Sequence, residues 1–326
     1  MIKYRQTNKE GIGQAMDISP AVRYRDAVVN SCRRIILGKD AEIEKVLIAF
    51  LCGGHVLLED VPGTGKTMLL RAFAASVGGG FKRIQFTPDL LPGDLTGIHF
   101  YNRKTEDFEF RPGPLFSEMI LADEINRATP RTQSSLLEAM EERQITVDGT
   151  TYKMAEPFMV MATQNPLESY GTFPLPEAQV DRFFMRLGLG YMQRTEEKEV
   201  IARRPAAVLV EALAPVVTWE ETKQIRALTE SVTVSDTVRE YILDILEATR
   251  RGGFTSSGVS TRGGIALYRA AQVYAAFRGR DFVMPEDVRD LAPCILAHRL
   301  GGASVSKADS ENYICKLVAE TKTELS

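Results

Sequence analysis

The chain has 326 residues, 44% of them hydrophobic and 25% charged, with 40 Lys and Arg against 43 Asp and Glu. That size supports one large globular domain or two ordinary ones without disulfide or metal staples, and a net charge of −3 gives no electrostatic basis for nucleic-acid or acidic-membrane binding. The four cysteines (Cys32, Cys52, Cys294, Cys315) and three histidines (His55, His99, His298) lack the close spacing of zinc or dithiol chemistry. No stretch approaches about 18 uninterrupted apolar residues and no signal-peptide core follows the N-terminus, so a cytoplasmic protein without a membrane span is expected.

Residues 1–19 are polar and aperiodic, and are expected to form a flexible leader. Apolar residues then recur at helical spacing from Val22 to Ile36, and 42–51 reads as a second helix ending at Gly53 and Gly54. The triplet Ile36, Leu37, Gly38 reads either as an apolar seat for an adenine or as core packing.

A short apolar strand from His55 runs into Glu59-Asp60-Val61-Pro62-Gly63-Thr64-Gly65-Lys66-Thr67 and then a helix over 68–77. Backbone N–H groups of a Gly-bracketed turn at a helix N-terminus suit oxyanions, and phosphate fits best. Lys66 is placed to reach the β- and γ-phosphates and the Thr67 hydroxyl to sit on Mg²⁺. Asp60, Pro62, Gly63, Thr64, Gly65, Lys66, Thr67 and Met68 form the expected nucleotide-binding set. Asp60 stands where the pattern G-x-x-x-x-G-K-[ST] asks for glycine.

Residues 81–86 read as the next strand, 98–110 as an inserted hairpin with nearly balanced charge, and 119–124 as a buried strand ending in Asp123 and Glu124. Carboxylates at that end of a parallel strand, beside a phosphate loop, suit metal binding by Asp123 and general-base work by Glu124. Thr129 and Pro130 open a helix to about residue 142, and a second hairpin turns on Asp148 and Gly149. The strand 158–163 leads to Asn165, which can orient a water or contact the γ-phosphate, or merely start a turn with Pro166. Arg182 follows Asp181 before a last strand over 183–189. Beyond Gly190 the pattern is helical throughout, with Ser260, Thr261 and Arg262 opening one helix.

Taken together, these residues closely resemble the MoxR family of AAA+ ATPases, from about Ile36 to the end of the helical region. The resemblance rests on the phosphate loop with Asp60, Arg83-Ile-Gln-Phe-Thr-Pro-Asp-Leu90, Ala122-Asp-Glu-Ile-Asn-Arg-Ala128, Ala162-Thr-Gln-Asn-Pro166, Leu175-Pro-Glu-Ala-Gln179, Asp181-Arg-Phe183, Pro285-Glu-Asp-Val288 and His298-Arg299, in that order. It implies an α/β fold: an AAA+ P-loop core over 20–190, with a parallel sheet and hairpin insertions, then a smaller all-α lid over 191–326. It implies that Lys66 and Thr67 are Walker A residues, Asp123 and Glu124 the Walker B pair, and Asn165 the first sensor. Arg182 becomes the arginine finger for a neighbouring subunit, and Arg262 the second sensor, reading the γ-phosphate from the lid.

The expected activity is Mg²⁺-dependent ATP hydrolysis at subunit interfaces of a homo-oligomeric, hexameric ring, driving chaperone-like remodelling of a protein client. A partner with a von Willebrand factor A domain is implied by the same resemblance. The competing reading is an AAA+ motor acting on DNA or RNA, against which the charge balance and the absence of a nucleic-acid-binding motif both count.

Overall fold

The structure, a computed structural model, describes residues 16–60, 63–164, 171–202, 206–255, 258–300 and 306–322. Two helices, α1 (Ser19–Arg33) and α2 (Asp40–Leu51), precede β1 (Val56–Glu59). Next come α3 (Lys66–Val77), β2 (Phe81–Gln85), α4 (Pro92–Thr96), the hairpin of β3 (Gly97–Asn102) and β4 (Asp107–Pro112), and β5 (Met119–Asp123). They are followed by α5 (Pro130–Glu142), a second hairpin of β6 (Gln144–Val147) and β7 (Thr150–Lys153), β8 (Met159–Gln164), α6 (Glu177–Val180) and β9 (Met185–Leu187). The described chain is helical from there: α7 (Arg194–Ala202), α8 (Ala206–Glu211), α9 (Trp219–Glu230), α10 (Asp236–Arg251), α11 (Thr261–Phe277), α12 (Pro285–Leu296) and α13 (Lys307–Glu320).

Five strands form one parallel sheet in the order β2-β5-β8-β1-β9. Alternate residues of each strand bury to opposite faces. Val56 and Leu58 of β1, Met119 and Leu121 of β5, and Met159 and Met161 of β8 join the helices α1–α3. Leu57, Ile120, Ala122, Val160 and Ala162 pack instead with Leu136 and Leu137 of α5. A parallel sheet needs both faces covered, and here both are. The register pairs Glu59 with Gln164, Ala122 with Ala162, and Gln85 with Asp123, so four strands finish at a common edge.

The cluster on the first face continues past the sheet. It runs through α1 and α2 into Ile225, Tyr241, Leu267, Leu291 and Ile314 of the lid helices. Tyr24 Oη meets Thr222 Oγ1 at 2.7 Å, and Arg226 Nη2 donates to the Phe50 carbonyl at 2.7 Å, so the lid is seated on α1 and α2. The hairpins lean on each other, with Phe110 stacked on Tyr152 at 4.4 Å and His99 Nδ1 2.9 Å from Asp148 Oδ2.

Two expectations need correction. Residues 1–15 of the expected leader lie outside the described residues, but Ile18 is buried and Met16 packs against the core, so the apolar end of that segment belongs to the fold. Thr129 holds the N-cap position of α5 without capping it: its hydroxyl meets Thr132 Oγ1 at 3.3 Å. Among the described residues no helix is long and apolar enough to cross a membrane.

His55 fastens the start of β1. Its Nδ1 accepts from the Val160 N–H at 2.9 Å, which leaves Nε2 as the donor to the Met140 carbonyl at 3.1 Å. Burial, aided by the nearby Arg143 charge, pushes the imidazole down to about 3 from its ordinary 6.5. Above pH 6.5 neither folded nor unfolded chain protonates this group, whereas between 6.5 and about 3 only the unfolded chain does. Stability is therefore expected to fall with pH through that window by about 1.4 kcal/mol per unit from His55. Burial also holds His298 well below its ordinary value, in the same direction. Chemical denaturation of the parent and His55→Gln at several pH values checks this: the variant should be less stable at pH 7 but lose less on acidification.

Candidate active site

Gly63 and Gly65 follow β1 with φ of +87° and +89°, and a Cβ added to either would meet nothing within 4 Å. Backbone conformation, not crowding, requires glycine there, and the loop stays open on that side. Helix α3 starts at Lys66 and aims its first N–H groups into the same space. Lys66 Nζ donates to the main-chain oxygen of Asp60 at 2.9 Å.

The Asp60 carboxylate reaches the chain that leaves β9. Its Oδ2 accepts from the N–H groups of Leu189 and Gly190, both at 2.7 Å. Asp60 was expected among the nucleotide-binding residues. Its side chain tethers the loop to the chain leaving β9, a task no glycine could perform, while its main-chain carbonyl accepts from Lys66 Nζ.

Across the loop, β5 ends in the two carboxylates. Asp123 Oδ1 accepts from Thr163 Oγ1 at 2.6 Å, and Oδ2 from Arg83 Nη2 at 2.6 Å and Nε at 3.1 Å. Glu124 has φ 57° and ψ 50°, a left-handed conformation that costs a non-glycine residue about 1–2 kcal/mol. Its N–H donates to Thr163 Oγ1 at 2.8 Å, and its Oε2 accepts from Gln85 Nε2 at 2.8 Å with Arg127 Nε 3.2 Å away. Thr163 thus holds both acids through one hydroxyl.

Arg83, Asp123, Glu124 and Thr163 line a cleft of about 400 Å³ with Gly63, Gly65, Lys66, Thr67 and Met68. Thr67 and Asp123 offer it a hydroxyl and a carboxylate, oxygen donors that suit Mg²⁺ arriving with phosphate oxygens and water. Among the described residues no group of three or more His, Cys, Asp or Glu could hold a metal ion.

A second cleft, of about 360 Å³, lies where the lid meets the core. Arg182 Nε sits 2.9 Å from Glu141 Oε2, and Arg262 Nη2 sits 2.5 Å from Glu141 Oε1. Asp181 Oδ1 takes Arg299 Nη1 at 2.5 Å, Ser260 Oγ donates to Asp181 at 3.2 Å, and Arg262 Nη1 lies 3.9 Å from Asp181 Oδ2. Arg262 was expected at the γ-phosphate from the lid. It does not line the phosphate cleft of its own chain, because the start of α11 brings it beside Arg182.

Pro62 and Asn165 lie outside the described residues. Ile36 is buried in the core, while Leu37 is half-buried and Gly38 exposed, so core packing accounts for the first of the three residues considered for adenine. Sequence reasoning assigned no role to Thr163, Glu141 or Arg299. A hydroxyl beside the expected sensor was a usable signal for Thr163. Glu141 had none, and Arg299 stood only within the His298-Arg299 pair of the family resemblance, which says nothing of partners so remote in sequence.

The parallel sheet, the glycine-bracketed loop facing two carboxylates, and the helical lid define an AAA+ P-loop ATPase. The chain matches the ATPase family associated with various cellular activities (AAA) over residues 55–185 and the AAA lid domain over 247–314. It is 51% identical over 272 residues to the uncharacterised protein YeaC of Bacillus subtilis (strain 168), covering 83% of this chain and 85% of the relative. It is 39% identical over 297 residues to Chaperone MoxR1 of Mycobacterium tuberculosis, covering 88% and 78%, and 34% identical over 304 residues to Protein MoxR of Paracoccus denitrificans, covering 85% and 88%. A crystal structure of a candidate ATPase from Cytophaga hutchinsonii superposes with a TM-score of 0.83 at 38% identity, covering 93% of this chain and 96% of that one. The chain belongs to the MoxR family of AAA+ ATPases.

Thr163→Val removes the hydroxyl and keeps the shape. ATP turnover is expected to fall about ten- to a hundredfold, as for loss of a positioning contact, with ATP affinity changed less than about threefold. Steady-state kinetics beside equilibrium nucleotide binding separates these effects. Unchanged turnover would mean that Thr163 does not hold the acids for chemistry.

Proposed function

We propose that the protein hydrolyses ATP at interfaces between copies of itself and uses the cycle to remodel a protein partner. The observation that carries this reading is the separation of two half-sites. Lys66, Thr67, Asp123 and Glu124 line one cleft, Arg182 and Arg262 line another, and neither arginine lines the first. A head-to-tail contact would complete each phosphate cleft with a neighbour's arginine cluster, and a heterologous contact forms a ring when its rotation closes. Family membership supports a hexamer.

In this reading the loop N–H groups and Lys66 hold the phosphates, and Glu124 takes a proton from the attacking water as the γ-phosphorus–oxygen bond to ADP breaks. Thr67 and Asp123 would hold Mg²⁺, which neutralises phosphate charge when bound. Asn165 is assigned to orienting the water. Arg182 supplies positive charge to the neighbour's transition state, a contribution on the order of 10³ to 10⁵ in rate in related enzymes. Arg262, beside it, reads the same neighbour's γ-phosphate.

A protein client is supported by the β3–β4 hairpin, which exposes Ile98, Phe100, Tyr101 and Phe108, since grouped exposed apolar side chains favour protein contacts over phosphate. The name Chaperone MoxR1 points the same way for that relative. A von Willebrand factor A domain protein is the class of partner that family membership suggests.

Glu124→Gln and Arg182→Ala are each expected to abolish turnover. Mixed in equal amounts and allowed to exchange, they should regain activity, because roughly a quarter of randomly formed interfaces join an intact Glu124 to a neighbour's intact Arg182. Arg262→Ala should also regain activity with Glu124→Gln but not with Arg182→Ala. A dead Glu124→Gln and Arg182→Ala mixture whose subunits demonstrably exchange rules out the shared site.

A further inference from the structure

Arg299 is a buried arginine in the short 3-10 turn that follows α12, far in sequence from any motif of the phosphate cleft. Its Nη1 donates to the Asp181 carbonyl at 2.7 Å and to the Asp181 carboxylate, and its Nη2 donates to the Phe183 carbonyl at 2.8 Å. Those carbonyls bracket Arg182, so one planar guanidinium splints the backbone on both sides of it. Arg299 Nε is fixed in turn by the Ile295 carbonyl of α12 at 2.9 Å.

The same side chain touches the other arginine's helix. A Cβ on Gly263, the residue after Arg262, would stand 2.8 Å from Arg299 Cδ, so the bare glycine lets the Arg299 stem run against the start of α11. Ser260, the N-cap residue of α11, donates to Asp181. Asp181 is thereby held by Arg299 from one side and Ser260 from the other. Without Arg299 its carboxylate would be left to Arg262, whose Nη1 is 3.9 Å away, and would draw on one of the two cations needed for phosphate.

We infer that Arg299 is a positioning residue that locks the Arg182 segment and the start of α11 into one unit and neutralises Asp181, so that both arginines are presented together to a neighbouring subunit. This rests on the shared-site reading above. The fork geometry matters as much as the charge: a lysine could still neutralise Asp181 but not bracket both carbonyls.

The test uses the full-length chain and assigns Arg299→Gln to one side of the interface by mixing. Arg299→Gln is expected to lower kcat by about tenfold or more, as for a misplaced catalytic group, with ATP affinity within about twofold of the parent. Mixed with Glu124→Gln it should regain activity, and mixed with Arg182→Ala it should not, because both lesions then lie on the finger side. Arg299→Lys should retain more turnover than Arg299→Gln, and it replaces that variant in both mixtures if Arg299→Gln does not fold. Recovery with Arg182→Ala but not with Glu124→Gln would place Arg299 on its own chain's nucleotide and overturn the inference. Unchanged kcat, or failure in both mixtures, overturns it as well. The Glu124→Gln and Arg182→Ala pair is the control: if it recovers, only the assignment of Arg299 is at stake, and if it fails, the shared site falls and this inference with it.

Discussion

The register of the parallel sheet is the constraint on which the site depends. Parallel strands buried on both faces have little freedom to slip, because a one-residue shift would exchange the residues packed on α1–α3 for those packed on α5. With register held, β1 and β8 end opposite each other at Glu59 and Gln164, β5 ends one residue short at Asp123, and Asp60 and Glu124 follow at the same edge of the sheet. The phosphate loop and the acids need no other device to meet. Thr163, one strand over from Asp123, then joins the two acids through a single hydroxyl.

A second set of contacts ties this edge to the lid. Asp60 holds the amides of Leu189 and Gly190, Arg186 Nη1 of β9 lies 3.3 Å from Glu59 Oε2, and Lys307 Nζ of α13 donates to the Glu59 carbonyl at 3.1 Å. The end of β1 therefore touches the chain entering the lid and the last lid helix at once. Since the lid also shares its apolar core with α1 and α2, lid and core are bound through apolar packing and through polar links. A change at the phosphate loop has a short physical route to the helices, and Arg299 extends that route to the Arg182 segment.

Much of this was legible in the sequence wherever the signal is local. The β6–β7 hairpin was read at its observed turn because Asp148 and Gly149, at φ 48° and 82°, are the residues such a turn demands. The run of apolar residues leading to Asp123 and Glu124 announced the burial of β5 and the pair of carboxylates at its end. Short α4 was not read, since Pro92 and Gly93 look like turn formers and five residues show no period. Short α8, over six residues, left no usable period either.

The site was harder where partners are distant. Asp60 looked like a substituted loop glycine, and only the fold brings Leu189 and Gly190 to its carboxylate. Arg262 was recognisable by its place at a helix start. Its destination was not, because where α11 points depends on the seating of the whole lid on α1 and α2. Glu141 and Arg299 meet their partners across more than a hundred residues in the bonds Arg262–Glu141 and Arg299–Asp181, beyond any pattern of spacing.

The measurement that bears most directly on the shared site is ATPase activity per subunit as the parent is diluted, with mass measured on the same samples. Specific activity is expected to fall in step with dissociation of the assembly, because a lone chain keeps its arginine cluster out of its own phosphate cleft. Activity per subunit that stays constant down to the monomer would contradict the account.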